Sequence, residues 1–224
     1  MMKRRWVVLS VILIALVAAL PASTQTKSVL SNGGFEVDTA GWTAEYGTLA
    51  RTTTAPHGGV GAAQVNALAA EGGFGWIRSQ CIDLTPELAT WPVAPDGLKY
   101  LTLNGYVKSD GVSNVALEIE YFSNNDCTNS IVTKSSDFTP STDWTFLSAT
   151  EDITDTVASV TVSVWGFTAP EADTVFYADD LTAFSSASVN AVQIQGLTAR
   201  AGLWSVGLVS TILVGTLLVR RRRV

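Results

Sequence analysis

Charged residues and histidine are both scarce in this 224-residue chain, and that scarcity excludes several functions. Charged residues make up 15% of the sequence and hydrophobic residues 47%, and His57 is the only histidine. A disordered chain has the opposite balance of charge and hydrophobicity, so we expect a folded body. A lone histidine within a glycine-rich turn is a poor basis for a serine or cysteine catalytic triad, so this class of enzyme is disfavoured.

Basic residues are nearly absent from the middle of the chain. Of the 14 lysines and arginines, three lie at positions 3–5 and four at 220–223, whereas all 20 acidic residues lie between these ends. The intervening chain therefore carries seven basic against 20 acidic residues, a net charge of −13. Such a body does not bind nucleic acid by neutralising phosphates, and it does not adhere to anionic lipid by charge.

The N-terminus has the layout of a secretory signal peptide over residues 1–23. A basic start is followed by an apolar run over residues 7–20 and then by Pro21, Ala22 and Ser23. The run is shorter than the roughly 20 residues that span a bilayer, although an uncleaved N-terminal anchor is the alternative. We therefore expect the protein to be exported.

A second apolar run, residues 203–219, predicts a transmembrane or sorting helix. As a helix it would extend about 26 Å, close to the roughly 30 Å of a hydrocarbon core. The arginines of segment 220–224 would stay in the cytoplasm as a tail, and residues 185–202 would form a linker. These features predict a cell-surface protein that is anchored in the membrane by its C-terminal helix, with the body outside.

The two cysteines, Cys81 and Cys127, both lie in the body. An even number of cysteines outside the cytoplasm favours a disulfide, and two free buried thiols are the alternative. A metal site built from two cysteines and one distant histidine is improbable, because the usual zinc-ligand spacings are missing.

The sequence of the body predicts a series of short β-strands, because its apolar residues do not repeat with the 3.6-residue period of a helix. Turn-forming residues separate the runs, and Asp110-Gly111 predicts a hairpin between two of them. About nine antiparallel strands predict an all-β sandwich, a jelly roll over residues 27–184. The predicted strands are 29–36, 46–53, 60–68, 74–84, 98–108, 112–122, 143–152, 158–167 and 174–184.

Alternation along three of these strands predicts a polar face that carries two tryptophans. On one strand Val115, Leu117, Ile119 and Tyr121 share an apolar face, so the intervening glutamates point the other way. The same argument places Trp165 opposite three valines. The residues assigned to the polar faces are Trp76, Arg78, Gln80, Glu118, Glu120 and Trp165.

Such a face has the chemistry of a sugar-binding surface. An indole stacks on the apolar face of a pyranose, while carboxylate, guanidinium and amide groups hydrogen-bond the hydroxyls. Whether the six residues converge depends on strand order, and the alternative is that the tryptophans pack under loops. Glu118 and Glu120 lie about 7 Å apart along one strand, within the inverting glycosidase range. Paired surface carboxylates are nevertheless common, so we expect no enzyme activity.

Several ordered motifs resemble carbohydrate-binding modules of the family 4/9/22 type, which have a galactose-binding-like jelly roll. The likeness extends over residues 29–184, with Tyr106 at a position where tryptophan is usual. The motifs are Leu30-Ser31-Asn32-Gly33-Gly34-Phe35-Glu36 with Gly41-Trp42, Pro56-His57-Gly58-Gly59, Gly105-Tyr106-Val107-Lys108, Asp143-Trp144-Thr145 and Phe176-Tyr177-Ala178-Asp179-Asp180-Leu181.

The resemblance implies a structural Ca²⁺ where the first and last parts of the domain meet. Carried over by motif, its ligands are Glu36 and Asp179, with Asp180 as the alternate. Hard oxygen ligands from distant parts of the chain suit Ca²⁺. The alternative is that the aspartates cap a loop and the glutamate is solvated.

The function predicted from sequence is that of a non-catalytic cell-surface protein whose sandwich face binds a polysaccharide or other glycan. The alternative is a structural or adhesive envelope protein with the same domain and no small-molecule ligand.

Overall fold

The computed structural model describes residues 28–110, 114–154, 156–167 and 173–186. The predicted signal peptide, the C-terminal helix and the arginine tail lie outside these residues. Within the described ranges, no helix has the length and apolarity needed to cross a membrane.

The described chain folds into two antiparallel sheets that pack face to face, with only two short 3₁₀ turns, Ala69–Glu71 and Leu88–Thr90. This confirms the predicted antiparallel all-β sandwich. The strands are β1 (Trp42–Tyr46), β2 (Thr48–Thr52), β3 (Ala62–Ala67), β4 (Phe74–Ser79), β5 (Ile82–Asp83), β6 (Lys99–Ser109), β7 (Asn114–Phe122), β8 (Ser130–Ser135), β9 (Thr145–Ile153), β10 (Ser159–Phe167) and β11 (Thr174–Ser186).

One sheet has six strands and the other has five. The six-stranded sheet has the order β1-β4-β10-β7-β8, and β5 also pairs with β10. The five-stranded sheet has the order β2-β3-β11-β6-β9. Strands β10 and β11 are therefore the central strands of their sheets, although both come late in the chain.

The core forms between the sheets from the residues that alternation assigned to it. Val115, Leu117, Ile119 and Tyr121 of β7 are fully buried, and Val160, Val162 and Val164 of β10 lie beside them in the same cluster. Because successive side chains of a strand point to opposite faces, the residues between these positions lie on the outside of the six-stranded sheet.

The predicted hairpin between the strands on either side of Asp110 is wrong. Strand β6 belongs to the five-stranded sheet and β7 to the six-stranded sheet, so the chain crosses between layers at this point. The Asp-Gly signal describes a local change of direction, but it cannot determine whether the next strand pairs with the previous one or packs across the core.

Several strand predictions differ from the structure, and the predicted strand 46–53 is divided at Gly47 between β1 and β2. Residues 29–36 form bends and turns, and the predicted strand 74–84 is interrupted after Ser79. β11 continues through Ser186, two residues into the predicted linker.

Two strands, β1 and β8, are absent from the prediction. Both lie at edges of the six-stranded sheet, and four of the five β1 residues and most of β8 are exposed. An edge strand exposed on both faces has no apolar-polar alternation, which is the signal on which the other strands were identified.

The predicted disulfide between Cys81 and Cys127 is confirmed. Its Cα–Cα distance is 5.8 Å and its sequence separation is 46 residues. It joins the junction between β4 and β5 to the loop between β7 and β8, so it crosslinks two parts of the six-stranded sheet.

The beginning and end of the domain lie side by side, as the resemblance implies. The backbone N–H of Val29 donates to the carbonyl of Ala183 (2.7 Å), and the N–H of Leu181 donates to that of Gly33 (2.9 Å). The opening segment thus runs along β11 without forming a regular strand.

Candidate functional site

The register of the six-stranded sheet brings together two tryptophans that are 89 residues apart in sequence. Trp76 of β4 lies directly opposite Trp165 of β10, and Tyr46 of β1 lies opposite Trp76. The rings of Tyr46 and Trp76 are stacked, with their centroids 6.1 Å apart and their planes 6° apart. Both tryptophans are partly exposed. The outer face of this sheet therefore carries a row of aromatic rings.

These rings line a pocket of about 360 Å³ on the outer face. Its lining consists of four aromatic side chains and one carboxylate: Tyr46, Phe74, Trp76, Trp165 and Glu118. Apolar walls with a single charged group are typical of sites that orient a small ligand or one unit of a polymer.

A second set of rings contacts Trp165 and Phe74. Phe138 contacts Trp165 edge-on, with centroids 4.8 Å apart, and Phe167 lies 6.0 Å from Trp165 and 6.3 Å from Phe74. Edge-to-face contacts of this kind restrict ring rotation. The contact with Phe138 therefore restrains the Trp165 ring.

Next to the pocket, Arg78 and Glu120 form an ion pair across β10. Arg78 Nη2 lies 3.1 Å from Glu120 Oε2, and the guanidinium carbon lies 4.7 Å from the centroid of the Trp76 ring. Both side chains are about three-quarters buried or more. A partly desolvated ion pair is ordered, so it presents hydrogen-bonding groups in a fixed position beside the aromatic row.

Glu118 is the carboxylate of the pocket and is only 9% exposed. Its Oε2 accepts a hydrogen bond of 3.2 Å from Ser135 Oγ. Burial raises the pKa of Glu118, and the neighbouring Glu120 charge adds to this, whereas the Ser135 hydrogen bond and Arg78 oppose it. Across the described residues, Glu118 has no ion-pair partner of its own.

Five of the six predicted ligand residues come together, and one does not. Trp76, Trp165 and Glu118 line the pocket, and Arg78 and Glu120 lie beside it. Gln80 is exposed beyond the end of β4 and is not part of the lining. Strand β4 ends at Ser79, so the regular alternation of side chains on this strand does not reach Gln80.

Sequence reasoning missed Tyr46 and Phe74. Phe74 is two residues before Trp76 on the same strand, so alternation already placed both rings on one face. Tyr46 belongs to β1, an edge strand without an alternating pattern. Only its pairing with β4 brings it to the pocket.

At the other predicted site, three carboxylates surround the loop of residues 57–60. Glu36 Oε2 accepts from the N–H of Val60 (2.7 Å), and Asp179 Oδ2 accepts from the N–H of His57 (2.9 Å) and of Gly58 (3.0 Å). Asp180 Oδ2 lies 2.8 Å from His57 Nδ1.

The two glycines of this loop explain how the carboxylates approach so closely. A Cβ on Gly58 would lie 2.7 Å from Asp180 Oδ2, and a Cβ on Gly59, which has a φ of +53°, would overlap the Glu36 carboxylate. The register of β11 shifts between Asp179 and Thr182, so these aspartates leave the regular ladder. The motif residues therefore meet at one loop.

The donor types at this loop fit Ca²⁺. Asp179 is fully buried, and burial together with the charge of Asp180 raises its pKa, against the effect of the backbone N–H groups. Within the described residues, no group of three or more acidic, histidine or cysteine side chains is arranged to hold a metal ion. Backbone oxygens would therefore have to complete a site that contains Glu36 and Asp179. Within the described residues Asp179 has no ion-pair partner, and buried negative charge of this kind favours such a cation.

The five-stranded sheet carries a different aromatic cluster near the same loop. The His57 ring stacks on Tyr106 with centroids 3.4 Å apart, and Lys108 Nζ lies 5.0 Å from the Trp144 ring and 4.8 Å from the Tyr177 ring. These rings are covered by one another and by the lysine. Phe146, which contacts Tyr106 edge-on in this cluster, is 43% exposed.

Comparisons with known proteins identify similar solved structures. No family model matches the chain, and no curated protein matches it. A bacteriophage CBA120 tailspike protein 4 enzymatically active domain matches with a TM-score of 0.53 and 9% identity, covering 71% of this chain and 21% of that one. At this sequence identity, the similarity shows the fold of this chain alone.

Other similar structures are carbohydrate-binding modules with a β-sandwich fold. The module TmCBM61, solved in complex with β-1,4-galactotriose, has a TM-score of 0.49 and 12% identity, covering 72% of this chain and all of its own. The CBM22-1 xylan-binding domain from Paenibacillus barcinonensis Xyn10C has a TM-score of 0.47 and 17% identity, covering 75% of this chain and all of its own.

Proposed function

We propose that this chain is an exported, non-catalytic cell-surface protein that binds carbohydrate through the outer face of its six-stranded sheet. The observation that carries the proposal is the pocket whose walls are the rings of Tyr46, Phe74, Trp76 and Trp165. Partly exposed aromatic rings in one row match the repeating apolar faces of pyranose units. The family resemblance read from the sequence motifs supports the same function.

The charged groups beside the rings supply polar recognition. The ordered Arg78–Glu120 pair and the Glu118 carboxylate lie within one row of side chains next to the pocket. Sugar hydroxyls donate to carboxylates and accept from guanidinium groups, so this row would fix the orientation of a stacked ring. A hydrolytic role is not part of the proposal, because Glu120 is committed to Arg78.

The proposal is tested by titrating the full chain with a panel of neutral oligosaccharides and following tryptophan fluorescence. Replacing one wall, Trp76→Ala, is expected to weaken binding by about tenfold or more, which corresponds to about 1.4 kcal/mol. Trp144→Ala, on the opposite sheet, is the matched control and is expected to leave affinity unchanged. Loss of affinity in the control alone, or no binding across the panel, would contradict the proposal.

A structural Ca²⁺ held by Glu36 and Asp179, with Asp180 as the alternate, is part of the proposal. It is supported by the convergence of these carboxylates on one loop and by the burial of Asp179. Bound there, the ion would link the start of the domain to β11.

Export and anchoring are proposed from the two apolar ends of the sequence. The basic start with its apolar run, and the run at 203–219 followed by arginines, are the supporting features. Protease treatment of intact cells is expected to digest the body while the protein remains with the membrane fraction. A protected body would contradict this topology.

A structural or adhesive role is the second candidate function, and one observation favours it. Strand β8 is an edge of the six-stranded sheet, and Ile131 and Val132 on it are 44% and 38% exposed. An edge strand with exposed apolar side chains is a surface to which another protein strand can add. This role gains support if the oligosaccharide panel shows no binding and the chain associates with an envelope protein through β8.

A further inference from the structure

The pocket on the six-stranded sheet has an excess of negative charge. Glu118, Glu120 and Arg78 are the charged side chains at and beside it, and Arg78 is paired with Glu120. That leaves Glu118 without an ion-pair partner of its own in the part of the chain that the structure describes; Ser135 Oγ donates to it, and the charge of Arg78 acts on it from beyond ion-pair distance. A ligand that brings a positive charge would therefore complete an ion pair that the protein itself leaves open.

The walls of the pocket favour the same sign of charge. The faces of Tyr46, Phe74, Trp76 and Trp165 carry the negative side of the ring quadrupole, which attracts a cation within about 6 Å of a ring centroid. The Arg78 guanidinium already makes such a contact with Trp76 at 4.7 Å. An anionic sugar would meet both a buried carboxylate and electron-rich ring faces, whereas a neutral sugar would gain stacking and hydrogen bonds but no ion pair.

The surroundings of the pocket favour a sugar over a small free cation. The Arg78–Glu120 pair continues the polar row away from the pocket on the outside of the sheet, across Ser163 and Thr161 of β10, which are themselves buried. This row would contact hydroxyl groups on neighbouring units of a chain. A simple ammonium compound has no hydroxyl-bearing extension to use it.

We propose that the pocket selects a glycan unit carrying a free ammonium group, such as a β-linked 2-amino sugar, with the ammonium paired to Glu118 and the pyranose ring held between the aromatic walls. This inference rests on the proposed carbohydrate-binding function and specifies its ligand. It also specifies what the pocket rejects: uronic acids and sulfated sugars.

The test compares two oligosaccharides that differ only in this group. A β-1,4-linked glucosamine hexamer and its fully N-acetylated counterpart are titrated into the full chain by calorimetry, at a pH where the free amine is protonated. We expect the amino hexamer to bind at least about tenfold more tightly, and a galacturonic acid hexamer not to bind measurably.

Two variants locate the effect. Glu118→Gln preserves the shape of the side chain and removes its charge, and it is expected to abolish the preference for the amino hexamer over the N-acetylated hexamer. Glu87→Gln removes an equal charge from an exposed position outside the pocket lining, and it is expected to retain the preference.

The remaining outcomes separate this inference from the function on which it rests. Equal binding of both hexamers, or tighter binding of the N-acetylated one, overturns the ammonium preference and leaves carbohydrate binding intact. Binding of choline with no binding of any oligosaccharide overturns both, because the site would then recognise a free cation. A preference that persists in Glu118→Gln also overturns the inference, since the carboxylate would not be its source.

Discussion

At the scale of single residues, the pocket is defined by one carboxylate placed among aromatic rings. Glu118 alternates with the core residues Leu117 and Ile119 on β7, so strand geometry alone determines that it faces outward. Its environment is a consequence of tertiary structure, because the rings that line the pocket with it come from β1, β4 and β10. The sequence could therefore predict the direction of this side chain but not its burial.

Replacing Glu118 is expected to change the pH dependence of stability. Burial raises its pKa above the ordinary value of 4.5 in the folded state, so between these two pKa values the folded state binds more protons than the unfolded state. The free energy of unfolding therefore falls as the pH rises from the unfolded-state pKa to the folded-state pKa. Above the folded-state pKa, Glu118 is ionised in both states and the loss of stability is complete.

Glu118→Gln removes this titration, so we expect the variant to unfold at higher denaturant concentration than the parent at neutral pH. The difference should shrink as the pH falls and should vanish below the unfolded-state pKa. Denaturant unfolding at several pH values measures this. A variant that is less stable at neutral pH, or a pH-independent difference, would contradict the assignment.

At the scale of strands, apolar-polar alternation in the sequence predicted most of the strands, but it could not predict which strands pair with each other. β3, β6, β7, β9, β10 and β11 were found because one face of each is buried. The edge strands β1 and β8 were missed for the opposite reason. The adjacency of β4 and β10, on which the pocket depends, joins segments that are far apart in sequence, and no local pattern encodes it.

The disulfide belongs to this scale because it crosslinks two strand junctions. Replacing both cysteines, Cys81→Ser with Cys127→Ser, is expected to lower the free energy of unfolding by about 3 to 4 kcal/mol, since a closed loop of 46 residues restricts the unfolded chain.

Denaturant unfolding of the double variant and the parent measures this loss. Reducing the parent protein should reproduce the stability of the double variant, which serves as the control for effects of the serines. Equal stability of the oxidised parent and the double variant would show that the crosslink contributes nothing.

At the scale of the whole molecule, the sandwich is closed by contacts between its two ends. The opening segment reaches β11 through the bonds from Val29 to Ala183 and from Leu181 to Gly33, and Glu36 and Asp179 meet at loop 57–60. The motif resemblance predicted this meeting. It could not reveal that Arg51 also joins the segment, donating from Nε to the carbonyl of Phe35 (2.8 Å).

Calcium is expected to stabilise the folded molecule at this junction. A ligand that binds only the folded state adds about 2.7 kcal/mol at a concentration 100 times its Kd. Thermal unfolding of the full chain should therefore occur at a higher temperature with Ca²⁺ than with a chelator. Asp179→Asn should lose that shift, and an identical melting temperature of the parent protein in both conditions would contradict the site.

The central position of β11 has a mechanical consequence. The chain leaves the sandwich through this strand, which is hydrogen-bonded to β3 on one side and to β6 on the other. Because antiparallel hydrogen bonds lie perpendicular to the strands, tension applied beyond Ser186 loads both ladders in shear, and many bonds must break together. A strand at the rim would instead be peeled off one bond at a time. With the proposed membrane anchor, force between a bound ligand and the membrane would pass through the most resistant strand of its sheet.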